Sequence, residues 1–167
     1  MTATESRNPA PADPEPLELL LFTHDASYAS TALQGGMDAI VVDWEWHGKS
    51  GRQAGRDTEI NCGTEADLAR MRAAIGSGKL ICRINNCDKV REDEIERAIR
   101  HGADEIWLPM VRDLATVAAT LRQLAGRARL GVQVETADAL SLGPALQALD
   151  LARVYIGLND LHIDLQL

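Results

Sequence analysis

Four short apolar runs in this chain lead into residues able to do chemistry: Val41-Val42-Asp43-Trp44-Glu45, Cys82-Arg83-Ile84-Asn85, Val132-Gln133-Val134-Glu135 and Gly157-Leu158-Asn159-Asp160. Carboxylates that a fold brings together from different segments repel one another unless something positive sits among them. Glu135 and Asp160 are therefore candidate ligands for a divalent metal. Two carboxylates completed by water and substrate oxygens suit Mg²⁺ or Mn²⁺, which prefer octahedral oxygen coordination. Arg83 would supply a planar, permanently charged fork for a substrate carboxylate or a developing enolate. Asp43 and Glu45 share one face of an extended segment, as do Gln133 and Glu135, while Val132 and Val134 share the other.

Other polar residues carry weaker signals. His47 follows Asp43 and Glu45 closely enough for acid–base work near neutral pH. His24 ends the first apolar run, His101 stands beside Gly102 where a helix dipole favours a cation, and His162 follows Asp160. The basic, glycine-rich segment Gly48–Arg56 reads as a solvated loop, with phosphate binding or a lid as the alternatives. Cys62, Cys82 and Cys87 form no C-x-x-C pair and have no His at zinc-ligand spacing, so they read as reduced thiols of a cytoplasmic protein.

These residues must be held by the elements that precede them. Short, nearly continuous runs of Val, Ile and Leu predict strands at Leu17–Phe22, Ala39–Asp43, Leu80–Ile84, Glu105–Leu108, Leu130–Val134 and Arg153–Ile156. Helix patterns lie between them. Thr64–Ile75 opens with Thr64 as N-cap and Asp67 at the capping-box position, and Asp88–His101 lines Val90, Ile95, Ala98 and Ile99 along one stripe. Leu114–Leu124 and Asp138–Leu149 follow, the latter interrupted by Pro144. An internal echo, Gly36-Met37-Asp38-Ala39-Ile40-Val41-Val42 against Gly102-Ala103-Asp104-Glu105-Ile106-Trp107-Leu108, repeats a helix end, an acidic turn and a strand. Strand and helix alternation at that spacing predicts parallel β/α architecture, either an open doubly wound sheet or an arc of a β/α barrel. No G-x-G-x-x-G follows the first strand and no Walker-type G-x-x-x-x-G-K-[ST] occurs, which weakens the nucleotide-binding versions of the open sheet. In either solution the chemistry sits at the carboxyl ends of the strands, and in a barrel the polar set points inward.

Composition narrows the partners. The 167 residues are 46% hydrophobic and 25% charged, enough for a packed core, and 25 acids against 17 bases give a net charge of −8. That balance argues against a phosphate-backbone binder, so nucleic acid is not an expected partner. No apolar run nears the roughly 20 residues of a membrane span. Residues 1–16 hold four of the six prolines and read as a disordered extension ahead of one domain at 17–167.

Taken in order, the segments Gly36 to Glu45, Cys82 to Asn85, Leu108-Pro109-Met110-Val111, Val132 to Thr136 and Tyr155 to Leu161 resemble the HpcH/HpaI aldolase and citrate lyase β-subunit family. That family belongs to the phosphoenolpyruvate/pyruvate barrel superfamily, and the resemblance runs from Leu17 to the C-terminus. It implies a (β/α)8 TIM barrel, a divalent cation (Mg²⁺ or Mn²⁺), and making or breaking of a C–C bond beside a carbonyl through a Mg-stabilised enolate. The implied substrate is a 2-oxo acid or an acyl-CoA-type thioester. By position, Glu135 and Asp160 resemble the metal ligands, Arg83 the arginine on the substrate's oxo-acid or enolate oxygens, and Gln133 a polar neighbour of that site. Asp43 and Glu45 match the acidic motif of strand two. In the aldolase branch a His follows that Glu directly, whereas here Trp46 takes the place and His47 comes one later.

A complete barrel needs about 250 residues, so this length accommodates about six β/α units. An open arc would expose strand edges and part of an apolar interior, which leads to the expectation of a homo-oligomer or a poorly stable protein. The alternative to a lyase is a catalytically impaired barrel fragment acting as a binding or subunit-interaction module. Phosphoryl chemistry in a related barrel is the third reading.

Overall fold

The computed structural model describes residues 17–46 and 63–167. The extension 1–16, His47, the loop Gly48–Arg56 and Cys62 lie outside the described residues. The chain alternates strand and helix throughout: β1 (Leu20–Phe22), α1 (Ala26–Gln34), β2 (Ala39–Asp43), α2 (Glu65–Ile75), β3 (Lys79–Arg83), α3 (Arg91–Arg100), β4 (Glu105–Leu108) and α4 (Leu114–Leu124). It continues with β5 (Arg129–Val134), α5 (Ala137–Ser141), α6 (Gly143–Leu146), β6 (Arg153–Ile156) and α7 (Leu158–Asp164). The strands pair in chain order, β1 to β6, and every pairing is parallel. The result is a curled half-barrel of six β/α units. Of the two parallel solutions open at the sequence level, the barrel arc is the one adopted.

Local chemistry sets the helix starts. Thr64 and Asp67 form a reciprocal capping box, and Asp25, Asp113 and Thr136 cap α1, α4 and α5 through side-chain oxygens on backbone N–H groups. Gly36 and Gly102, the first residues of the sequence echo, have φ of +104° and +85° and turn the chain from a helix end toward the next strand. The helix expected over Asp138–Leu149 splits at Leu142 into α5 and α6, with Pro144 in the first turn of the second. The first strand is shorter than its apolar run, because pairing with β2 begins at Leu20 and leaves Leu17 and Leu19 exposed. Helix α7 is an element the apolar pattern did not mark.

Strand alternation sorts the side chains into two layers. Ile40, Val42, Leu80, Cys82, Ile106, Leu108, Leu130, Val132 and Val134 face the helices and pack with Leu68, Met71, Ile95, Ala98 and Val117. Ala39, Val41, Ile81 and Trp107 face the other way, with Leu20 and Phe22 against them, and line the concave inner face. Lower on that face Glu105, fully buried, accepts from Arg153 Nε at 2.7 Å and Trp107 Nε1 at 2.6 Å and lies 3.4 Å from Lys79 Nζ. Among the described residues β1 and β6 each pair on one side only, and Arg153 Nη1 spans the opening to Glu18 at 2.6 Å. Val154, Tyr155 and Ile156 of β6 are exposed. No helix among the described residues is long and apolar enough to cross a membrane.

Candidate active site at the carboxyl ends of the strands

Parallel register places Asp43 beside Arg83, Arg83 beside Trp107, Trp107 beside Gly131 and Gly131 beside Arg153, one row across the inner face. Trp107 fills the middle of this row. It stacks on Tyr155 at 5.3 Å between centroids and meets Phe22 edge-on at 5.8 Å, so an aromatic floor separates the Glu105 cluster from everything above it. Gly131 has no Cβ because Trp107 and Glu105 occupy that space, at 2.6 and 2.9 Å from where a Cβ would lie.

Above the floor sits Arg83. Its Nε and Nη2 donate to the two oxygens of Asp43 at 2.8 and 2.6 Å, and its guanidinium lies 5.2 Å over the Phe22 ring. Nη1 points the other way, 3.4 Å from Gln133 Oε1 and 3.5 Å from Glu45 Oε2. Burial opposes the charge on Arg83, but the hydrogen bonds and charge of Asp43, with Glu45 and Glu135, outweigh it and hold the guanidinium above its ordinary value. The bidentate fork foreseen for a substrate is therefore taken by Asp43, and Nη1 is the edge turned toward the site. Both oxygens of Asp43, expected among the catalytic residues, are engaged by Arg83.

Glu135 follows β5 and is 2% exposed. Met110 adopts a left-handed conformation, φ +48°, after β4, and donates its N–H to Glu135 Oε1 at 2.7 Å. Gly157 leaves room on the far side, since a Cβ there would lie 2.5 Å from Glu135 Oε2. Burial pushes the Glu135 carboxyl up to about 7; the Met110 N–H works against this, and the charges of Glu45 and Asp160 add to it. Asp160 follows the carboxyl end of β6 and lies in the first turn of α7. That helix is tethered by Asp164, which accepts from Arg112 Nη2 at 2.6 Å and from the Ala137 N–H at 2.8 Å.

The structure thus brings Glu45, Arg83, Gln133, Glu135 and Asp160 to one end of the sheet. Gln133 is 1% exposed, and its Nε2 has no hydrogen-bond partner among the described residues while its Oε1 faces Arg83. A buried amide N–H so placed is ready for a ligand oxygen. The oxygen donors also suit a hard divalent cation, and the charges of Glu45 and Asp160 raise the cost of ionising Glu135. Among the described residues no group of three or more metal-ligating side chains is already gathered, so a cation would take two carboxylates and complete its shell with other oxygens. His101 stands at the C-cap of α3, where its place beside Gly102 put it, and its Nε2 also lies 2.5 Å from Glu65 Oε1 of α2. Trp107, Met110, Asn85 and Glu94 were not singled out from the sequence.

No protein-family model matches the chain, and no curated protein sequence does. Solved structures do. An HpcH/HpaI aldolase from Desulfitobacterium hafniense DCB-2 superposes with a TM-score of 0.63 at 14% identity, over 89% of this chain and 65% of that one. An HpcH/HpaI aldolase/citrate lyase family protein from Burkholderia cenocepacia J2315 superposes with a TM-score of 0.65 at 16% identity, over 89% of this chain and 66% of that one. The fold is that of these proteins, from the family the strand-end motifs resemble, and the chain spans about two thirds of their length.

Proposed function

We propose that this chain carries the site of a metal-dependent carbon–carbon lyase of the HpcH/HpaI aldolase and citrate lyase type, acting on a 2-oxo acid or an acyl-CoA-type thioester. The observation that carries the reading is the convergence of Arg83 Nη1, the Gln133 amide, Glu135 and Asp160 above an aromatic floor. Glu135 and Asp160 would hold Mg²⁺ or Mn²⁺. When bound, such a cation supplies Lewis-acid polarisation of a carbonyl oxygen.

The chain's own residues do the rest. Arg83, fixed by Asp43, presents Nη1 to negative charge developing on a substrate oxygen, in a buried setting where such a contact is stronger than in water. Gln133 Nε2 donates to a second substrate oxygen and orients it. Glu45, 2% exposed and 3.5 Å from Arg83 Nη1, is the carboxylate placed to hold or accept a proton beside that oxygen. Trp107, 1% exposed and stacked on Tyr155, gives the site an apolar base. The reading includes a cytoplasmic setting and a self-associating chain.

Calorimetric titration with Mg²⁺, then with oxalate or pyruvate in its presence, tests this proposal. Mg²⁺-dependent oxalate binding, lost in Glu135→Ala and Asp160→Ala, is the expected result; metal binding unchanged in both variants would defeat the metal assignment. A binding or subunit-interaction module is the second reading, favoured by the exposed Val154, Tyr155 and Ile156 of β6. Metal and oxo-acid binding without turnover would support it.

A further inference from the structure

Glu45 is held from outside the site by one side chain that grips the peptide groups on both sides of it. Asn85 Nδ2 donates to the Trp44 carbonyl at 2.9 Å, and Asn85 Oδ1 accepts the Trp46 N–H at 3.0 Å. The N–H of Glu45 itself donates to Asp43 Oδ1 at 3.0 Å. Asn85 is in turn clamped by Glu94 of α3: its backbone N–H donates to Glu94 Oε2 at 2.7 Å and its Nδ2 to Oε1 at 2.8 Å. Both hydrogens of Nδ2 are thereby used, and a flipped amide would set donor against donor at Trp46 and acceptor against acceptor at Trp44.

This bracing is costly to build. Asn85 is fully buried and Glu94 is 5% exposed. A carboxylate away from water is disfavoured unless its oxygens are satisfied, and an apolar side chain would pack there more cheaply. The groups around Glu94 are Arg97 and Asp93 of its own helix and the buried Cys82 of β3. The Trp44 side chain adds a second anchor, Nε1 to the Thr64 carbonyl at 3.1 Å.

We propose that Asn85 and Glu94 are positioning residues that fix Glu45 against Arg83 Nη1 by locking the backbone of residues 44–46. What Glu45 then does rests on the lyase reading; the locking itself does not. Glu94→Gln offers one acceptor where two donors of Asn85 converge, and Asn85→Ala removes the grip altogether.

The test combines amide hydrogen exchange with oxalate titration in Mg²⁺, on the wild type, Asn85→Ala, Glu94→Gln, Glu45→Ala and the Asn85→Ala/Glu45→Ala double variant. The Trp46 amide should exchange at least about tenfold faster in Asn85→Ala and Glu94→Gln, while the amides of Val41 and Ile81 keep wild-type protection. Oxalate affinity should fall about tenfold in both, with Mg²⁺ binding in the absence of oxalate changed by less than about twofold. In the Glu45→Ala background, Asn85→Ala should cost nothing further, which a general loss of stability would not reproduce. Unchanged Trp46 exchange, or additive effects on oxalate in the double variant, would overturn the proposal. If Asn85→Ala does not fold, Glu94→Gln carries the same readouts and a Glu94→Gln/Glu45→Ala pair replaces the double variant. A wild type that binds neither Mg²⁺ nor oxalate would sink the lyase reading, and the exchange arm would still decide whether the locking exists.

Discussion

Arg83 and Asp43 face each other across β3 and β2 with both carboxylate oxygens engaged, Nε to Oδ1 at 2.8 Å and Nη2 to Oδ2 at 2.6 Å, and the Asp43 side chain is 1% exposed. Two charges this buried help sustain each other, so removing Asp43 takes the bidentate partner from the Arg83 guanidinium. Asp43→Ala should destabilise the fold by about 3–5 kcal/mol, measured by denaturant unfolding. Arg83→Lys should fail to restore the pair, because an ammonium lacks the planar two-point geometry. A loss below about 1 kcal/mol for Asp43→Ala would show the pair to be solvated.

Gly157 should tolerate no side chain. A Cβ there would meet Glu135 at 2.5 Å on Oε2 and 2.8 Å on Cβ. Gly157→Ala is expected to displace the Glu135 carboxyl and lower Mg²⁺ affinity about tenfold or more, with a stability loss of about 1–3 kcal/mol from overpacking. Wild-type Mg²⁺ affinity in this variant would place the cation elsewhere.

The Glu94 carboxyl gives the fold a pH dependence of known sign. Burial holds it above its ordinary value of 4.5, Asp93 adds to the rise, and the Asn85 hydrogen bonds and Arg97 oppose it. The folded chain therefore keeps this proton to higher pH than the unfolded chain, so stability drops as pH climbs from about 4.5 through the folded-state value and levels off above it. Urea midpoints across this range should show the wild type losing ground to Glu94→Gln. A gap between the two proteins that is constant with pH would contradict the shift.

Trp107 is the largest fully buried side chain, at 1% exposure. Trp107→Ala should cost about 3–5 kcal/mol through the void beneath the site and the lost bond to Glu105. Trp107→Phe keeps the stacking on Tyr155 and should recover most of that stability but not the Glu105 bond, a split that thermal unfolding of the two variants will report.

Exposed apolar side chains on β6, whose outer edge has no partner strand among the described residues, favour association between copies. Sedimentation at rising concentration should show it, and Ile156→Lys should suppress it. A strictly monomeric wild type at the highest concentration would rule this surface out.

Much of this architecture was legible in the residues because the two signals involved are strong and local. Val132 and Val134 alternate with Gln133 and Glu135, and that alternation alone separates a helix-facing layer from an inner one. Capping chemistry at Thr64 and Asp67 likewise depends on residues three apart. The site was legible only as a list of strand ends. The sequence offered Arg83 as a free fork, since nothing in the spacing shows that parallel register sets Asp43 directly opposite it. Asn85 and Glu94 escaped notice because their roles consist of bonds to main-chain groups 39 and 41 residues away and to each other across a turn. Met110 escaped for a similar reason, its part being played by a backbone N–H.

The contact between Arg153 and Glu18 joins positions 135 residues apart in the chain, whereas each strand of the sheet pairs with its immediate predecessor in sequence. Assembly can then zip unit by unit through short closures, with the clasp across the opening among the last links to form, since the longest loop must close before it is rewarded. Glu18→Ala should accordingly leave the refolding rate nearly untouched and quicken unfolding, making Arg153 a kinetic latch on a structure whose folding proceeds without it.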